Sequence, residues 1–141
     1  MTALSNSVTA FITARRLEQV PADLPSARAR LSRAEDKLAA ARKIATIDIE
    51  IAYVTAYDAT RIAVSAHMLS IGYRVRAVAG AHEAVGTYAE AMINTPSAVE
   101  FQRMRRRRNK AEYDDVVIGQ ADLAADLGHA QSIIDAVRQA L

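Results

Sequence analysis

Apolar residues that return at alternating steps of four and three constrain this chain most. One series runs Ala27, Leu31, Ala34, Leu38, Ala41 and Ala45, and a second runs Leu123, Leu127, Ala130, Ile134, Val137 and Leu141. Such spacing keeps one face of an α-helix apolar and buries it against another helix. In the first series most of the stripe is alanine, a seam with small residues that suits an antiparallel helical hairpin.

Composition points the same way where the stripes leave room for choice. Hydrophobic residues make up 51% of 141, enough for one domain with a real core, and aromatics only 5%. Low glycine and proline with recurrent alanine and leucine favour close-packed helices over a sheet. The chain has no cysteine, which excludes disulfides and thiolate metal sites. Its first residues place their arginines after a weak apolar run, the reverse of a secretory signal, and no run nears the roughly 20 apolar residues of a membrane span. The expected location is cytoplasmic, with no membrane partner.

Along the chain, Leu4, Val8, Phe11 and Ile12 predict a short first helix that ends before Val20-Pro21. The alanine-rich helix follows, with Glu35, Lys37, Arg28, Arg30, Arg33 and Arg42 on its solvated face. Residues 46–51 alternate apolar and polar, but without a partner strand they are read as a kink or helix start. Tyr53, Tyr57, Thr60, Val64, His67 and Ile71 form the stripe of the longest core helix, stopped at Gly72. Tyr73 to Gly80 reads as a connection, His82 to Ile93 as a helix, and Asn94-Thr95-Pro96 as its end. Ser97 with Glu100 has the spacing of a capping box for the next helix, and Asp114-Asp115 opens the last one. The expected architecture is all-α: a helical N-terminal extension over 1–45 before four core helices over 46–141, together one compact domain.

The fifth predicted helix carries an unusual block. Six of the eighteen basic residues fall within 103–110, although the net charge is only +2. At about 100° per residue, Arg103, Arg106, Arg107 and Lys110 share one side and Phe101, Met104 and Ala111 the other. Arg108 falls in the apolar stripe, with Arg105 at its edge. A guanidinium keeps its charge at any accessible pH, so an inward arginine needs a carboxylate, a phosphate or a shared groove to receive it.

Three short stretches resemble parts of the HEPN domain family: Ala56-Tyr57-Asp58-Ala59, Gly80-Ala81-His82 and Arg108-Asn109-Lys110-Ala111-Glu112-Tyr113. The resemblance covers roughly residues 47–141. It implies a four-helix up-and-down bundle, here with an N-terminal helical hairpin extension. It also implies metal-independent RNA cleavage by an Arg-x4 to x6-His motif, in a homodimer that joins two motifs in one cleft. An antitoxin protein partner is implied where members act as toxins. Arg108-Asn109 matches the start of the motif, while Tyr113 stands five residues after Arg108 in the place of the histidine. Asp58 is, by the same resemblance, the nearest core carboxylate for Arg108.

The chemistry gives these residues alternative tasks. Cleaving RNA without a metal or other cofactor needs a group that moves the 2′-hydroxyl proton and a cation for the phosphate oxygens. Arg108 suits the second task through its planar fork, or else it pairs with a core carboxylate. Tyr113, with an ordinary phenol pKa of about 10, is a poor base; it can donate a hydrogen bond to phosphate or fix the turn into the last helix. Asn109 can orient phosphate or cap its helix. Arg103, Arg105, Arg106, Arg107 and Lys110 suit backbone phosphates of a nucleic acid, or a solvated face. His82 can frame the cleft or cap its helix, His67 reads as a satisfied core residue, and His129 as surface. Zinc-protease, phosphate-loop and serine-hydrolase motifs are absent from the sequence. The expected function is RNA binding or cleavage, as in a toxin; the alternative is a non-catalytic helical interaction module with a basic face for an acidic protein or nucleic acid.

Overall fold

The computed structural model describes residues 6–141, the side chain of Ser7 excepted. Among them are six α-helices: α1 (Asn6–Thr13), α2 (Leu24–Ile44), α3 (Ile49–Ser70), α4 (Ala81–Met92), α5 (Phe101–Tyr113) and α6 (Gln120–Ala140). The fold is an all-α helical bundle. Leu4, which begins the first expected stripe, lies outside the described residues. None of the described helices is long and apolar enough to cross a membrane.

Helices α2, α3 and α6 pack on one another and form the centre. Every inward position of the α2 seam from Ala27 to Ala41 is buried, and Ala52, Ala56, Ala59, Ala63 and Ala66 line α3. Small side chains let helix axes approach closely, and Leu31 and Leu38 fill the space between them. Residues 24–44 therefore belong to the bundle's central packing, not to an appendage: the hairpin that the seam calls for forms between α2 and α3. Helix α1 packs mainly on α4.

Two strands that the sequence reading misses join this N-terminal segment to the chain after α3. β1 (Leu17–Gln19) pairs antiparallel with β2 (Tyr73–Val75), with Leu17 opposite Val75 and Gln19 opposite Tyr73. Three residues each are too few to show a period-two pattern. Gly72 makes the turn into β2 at φ 90°, and a β-carbon there would lie 2.7 Å from the Val20 carbonyl oxygen. The expected stop after α3 is thus required both by backbone conformation and by the neighbouring strand.

Several helix ends are set by short polar side chains. Asp23 accepts from the Ser26 N–H at 3.0 Å at the start of α2, where Pro25 occupies the first turn. Asp48 accepts from the Ile51 N–H at 2.9 Å, so the alternating segment 46–51 is a helix start. The cap before α5 differs from the expected one. Thr95 caps a 3₁₀ turn over Pro96–Glu100, whereas Ser97 bonds His129 and Glu100 bonds Arg103. The last helix begins at Gln120, not at Asp114, because Asp115 takes φ 55° and breaks the helical path.

Candidate nucleic-acid interface

The arginines of α5 divide between two environments, and the division differs from the one that helical angles predict. On one side, Asp126 of α6 is fully buried and receives three side chains. Arg103 grips it with two nitrogens at 2.5 and 3.1 Å, Arg107 adds a third contact at 2.8 Å, and the Tyr53 hydroxyl donates at 2.6 Å. Burial alone would raise the carboxyl pKa, but the hydrogen bonds from Arg103 and Tyr53 and the charge of Arg107 outweigh it and hold the pKa below the usual range. Burial, reinforced by the bond to Asp126, pushes the Tyr53 phenol far up. Arg103 also bonds Glu100 at 2.7 Å. Arg103 and Arg107, expected on a solvated face, are therefore internal partners of a buried anion.

Asp126 is the residue that sequence reasoning overlooks, although a signal exists. It stands three positions after Leu123 and four before Ala130, inside the apolar stripe of α6. A carboxylate there must be paired.

On the other side of α5, Arg108 is incompletely satisfied. Its Nη1 donates to Asn109 Oδ1 at 3.2 Å and forms an ion pair with Glu112 Oε2 at 3.2 Å, and the guanidinium lies 5.9 Å from the centre of the Tyr57 ring. Its Nε is buried without a hydrogen-bond partner among the described residues. Asp58, the expected partner, instead leans towards Arg61 at 3.9 Å. The geometric reason is that the carboxylate within reach of Arg108 is one turn along its own helix, at Glu112.

Arg108 and Asn109 border a small cleft of about 90 Å³ with Arg105, Arg61, Asp58 and His82. Five of the residues singled out from the sequence (Arg105, Arg108, Asn109, Asp58 and His82) thus meet across three helices. Close approach of α4 and α5 makes this juxtaposition possible. At Gly86 of α4 a β-carbon would fall 2.1 Å from the Gln102 side chain, and Gln102 bonds the Glu83 carbonyl at 3.2 Å. Burial raises the pKa of the Tyr57 phenol at the cleft wall, against the pull of Arg105, Arg61 and Arg108. That phenol stays protonated at neutral pH and can donate a hydrogen bond.

Tyr113 is not brought to this cleft. It ends α5 with 74% of its surface exposed, and Val116 and Val117, which follow in the chain, are exposed as well. Arg106 and Lys110 are exposed, and with Arg103 and Arg107 they border a separate depression of about 360 Å³. Here only Arg106 and Lys110 lack an ion pair among the described residues. His67 is buried and bonds the Tyr88 hydroxyl at 2.7 Å, and burial lowers its pKa; it is a core residue, as expected. His129 is half-buried against Ser97, not free on the surface.

The chain matches no family model, no curated protein and no solved structure.

Proposed function

We propose that this chain is a HEPN-like protein that binds RNA at the Arg108 cleft and cleaves it without a metal. The observation that carries the reading is Arg108, whose Nε has no hydrogen-bond partner among the described residues, on the wall of a cleft that His82 also lines. A guanidinium with a free buried donor is set to receive an oxyanion. In this role Arg108 and the Asn109 amide hold a phosphate, and Arg105 and Arg61 add positive charge. His82 takes the task that Tyr113 cannot perform from its exposed position.

In the reaction the ribose 2′-oxygen attacks phosphorus as His82 removes its proton. The phosphorus–5′-oxygen bond breaks, and a proton returns to that oxygen, giving a cyclic 2′,3′-phosphate and a 5′-hydroxyl. Arg108 stabilises the charge that develops on the remaining phosphate oxygens. Arg106 and Lys110 contact the strand backbone beyond the cleft. A homodimer fits the same reading, because exposed Tyr113 at the end of α5 and exposed Val116 and Val117 in the loop after it offer apolar surface that a second copy would cover. The toxin role and an antitoxin partner belong to this reading as well.

The test is an assay of end-labelled mixed RNA with light scattering on the same preparation. Wild type should cleave, as a dimer, and Arg108→Ala should lose about 10²–10³-fold in rate while keeping its thermal midpoint. No cleavage and no salt-sensitive binding, or equal behaviour of Arg108→Ala, would overturn the reading; a strict monomer would remove its dimer component. The second reading, a non-catalytic interaction module, is favoured by the position of Tyr113 outside the cleft. Salt-sensitive binding without cleavage supports it, and cleavage that disappears in His82→Ala excludes it.

A further inference from the structure

One concave feature that the RNA reading leaves unused is a cavity of about 410 Å³ between α2, α3, β2 and the start of α4. Its volume lies in the range of roughly 300–1,000 Å³ typical of small-molecule sites. The rim carries four arginines from three elements: Arg30 and Arg33 of α2, Arg61 of α3 and Arg74 of β2. Among the described residues no carboxylate lines it. Arg74 is engaged by Glu18 and Arg61 is 3.9 Å from Asp58, but Arg30 and Arg33 make no ion pair or hydrogen bond among the described residues.

Like charges three residues apart on a helix repel, and two more guanidiniums face the same space. The floor is of opposite character: Ile62, Met68 and Val85 are buried apolar residues. A rim of planar oxyanion-binding forks above an apolar floor fits a ligand with two ends. Inorganic phosphate would satisfy the rim and leave the floor unused. A neutral apolar molecule would do the reverse.

We propose that this cavity is a binding site for a small organic phosphate whose apolar body rests on Ile62, Met68 and Val85 and whose phosphate is held by Arg30 and Arg33. The site is independent of the RNA reading. Arg61 and His82 border both spaces, so the variants meant to weaken binding are confined to residues of this cavity alone, and Arg108→Ala reports on the other cleft.

Calorimetric titration of the full chain with 1-naphthyl phosphate, inorganic phosphate and 1-naphthol separates the contributions. Naphthyl phosphate should bind one per chain, with a Kd at least about tenfold below either control. The double variant Arg30→Ala/Arg33→Ala, at partly or fully exposed positions with the fold checked by circular dichroism, should raise that Kd by about tenfold or more. Val85→Trp should do the same by filling the floor, and Arg108→Ala should bind as wild type. Absence of binding, equal binding of inorganic phosphate, or an unchanged Kd in the double variant overturns the proposal. So does loss of binding in Arg108→Ala alone, which would assign the phosphate to the other cleft.

Discussion

Arg107 and Arg108 are neighbours on one helix, of one residue type, and nearly equal in exposure at 29% and 27%, yet their surroundings make them opposites. Arg107 turns to Asp126, where with Arg103 and Tyr53 it completes a buried anion's shell. Arg108 borders a cleft, its ion-pair partner Glu112 is itself 42% exposed, and its Nε is left without a partner among the described residues. The lesson is that charge density does not identify a binding residue. What matters is whether the fold already supplies the counter-charge. Where it does, the arginine holds helices together; where it does not, capacity remains for a ligand.

The largest effect that could break this contrast is on stability. Asp126→Asn leaves two arginines without their anion, and loss of one partner of a buried pair costs roughly 3–5 kcal/mol. Because both arginines can still reach water, about 2–3 kcal/mol is expected, a fall in Tm on the order of 10 °C. Acid should reveal the same group. The Asp126 pKa is depressed in the folded chain, so its stabilisation is present above the unfolded carboxylate pKa of about 3.9 and is lost as pH falls through the folded value. Thermal melts from pH 7 to 2 should show this acid limb reduced in Asp126→Asn. An unchanged Tm would mean that the buried cluster is not structural.

A smaller effect tests the outer cations. Arg106→Ala/Lys110→Ala removes two residues that hold no ion pair among the described residues, so Tm should move by less than about 2 °C. If both contact phosphates, the slope of log affinity against log salt for single-stranded RNA should flatten by about 1.4. A salt titration with the slope unchanged would take both residues out of the interface.

The smallest effect sharpens the Arg108 side. Glu112→Gln removes an exposed ion pair worth about 0–1 kcal/mol and releases Arg108 Nη1. Stability should change by less than about 0.5 kcal/mol, and RNA affinity should rise by a few-fold in fluorescence anisotropy. Weaker binding would mean that Glu112 positions the guanidinium for its ligand.

Much of the fold was legible because helix burial is periodic and local. The stripes of α2, α3 and α6 are almost wholly buried as read, Gly72 ends α3, and His67 lies in the core. The misses have physical causes. The β1–β2 pair is too short to carry a pattern, and Asp115 redirects the chain through one backbone angle that no neighbouring residue announces. The cleft residues Arg105, Arg108, Asn109, Asp58 and His82 could be singled out by type and spacing, and they do converge. Tyr113 could be singled out in the same way and does not.

The sequence by itself determined an all-α chain, the faces that its long helices bury, and an arginine block too dense to be ignored. Those properties follow from residue type and a spacing of 3.6, which act within a few turns of one helix. Only the tertiary structure decided which arginines are spent on Asp126 and which are left over. That choice depends on how α5 lies between α3, α4 and α6, and a counter-charge 19 or 23 residues away has no local signature. The same is true of Arg30 and Arg33, ordinary surface charges on a helical wheel until β2 and α4 close a cavity in front of them.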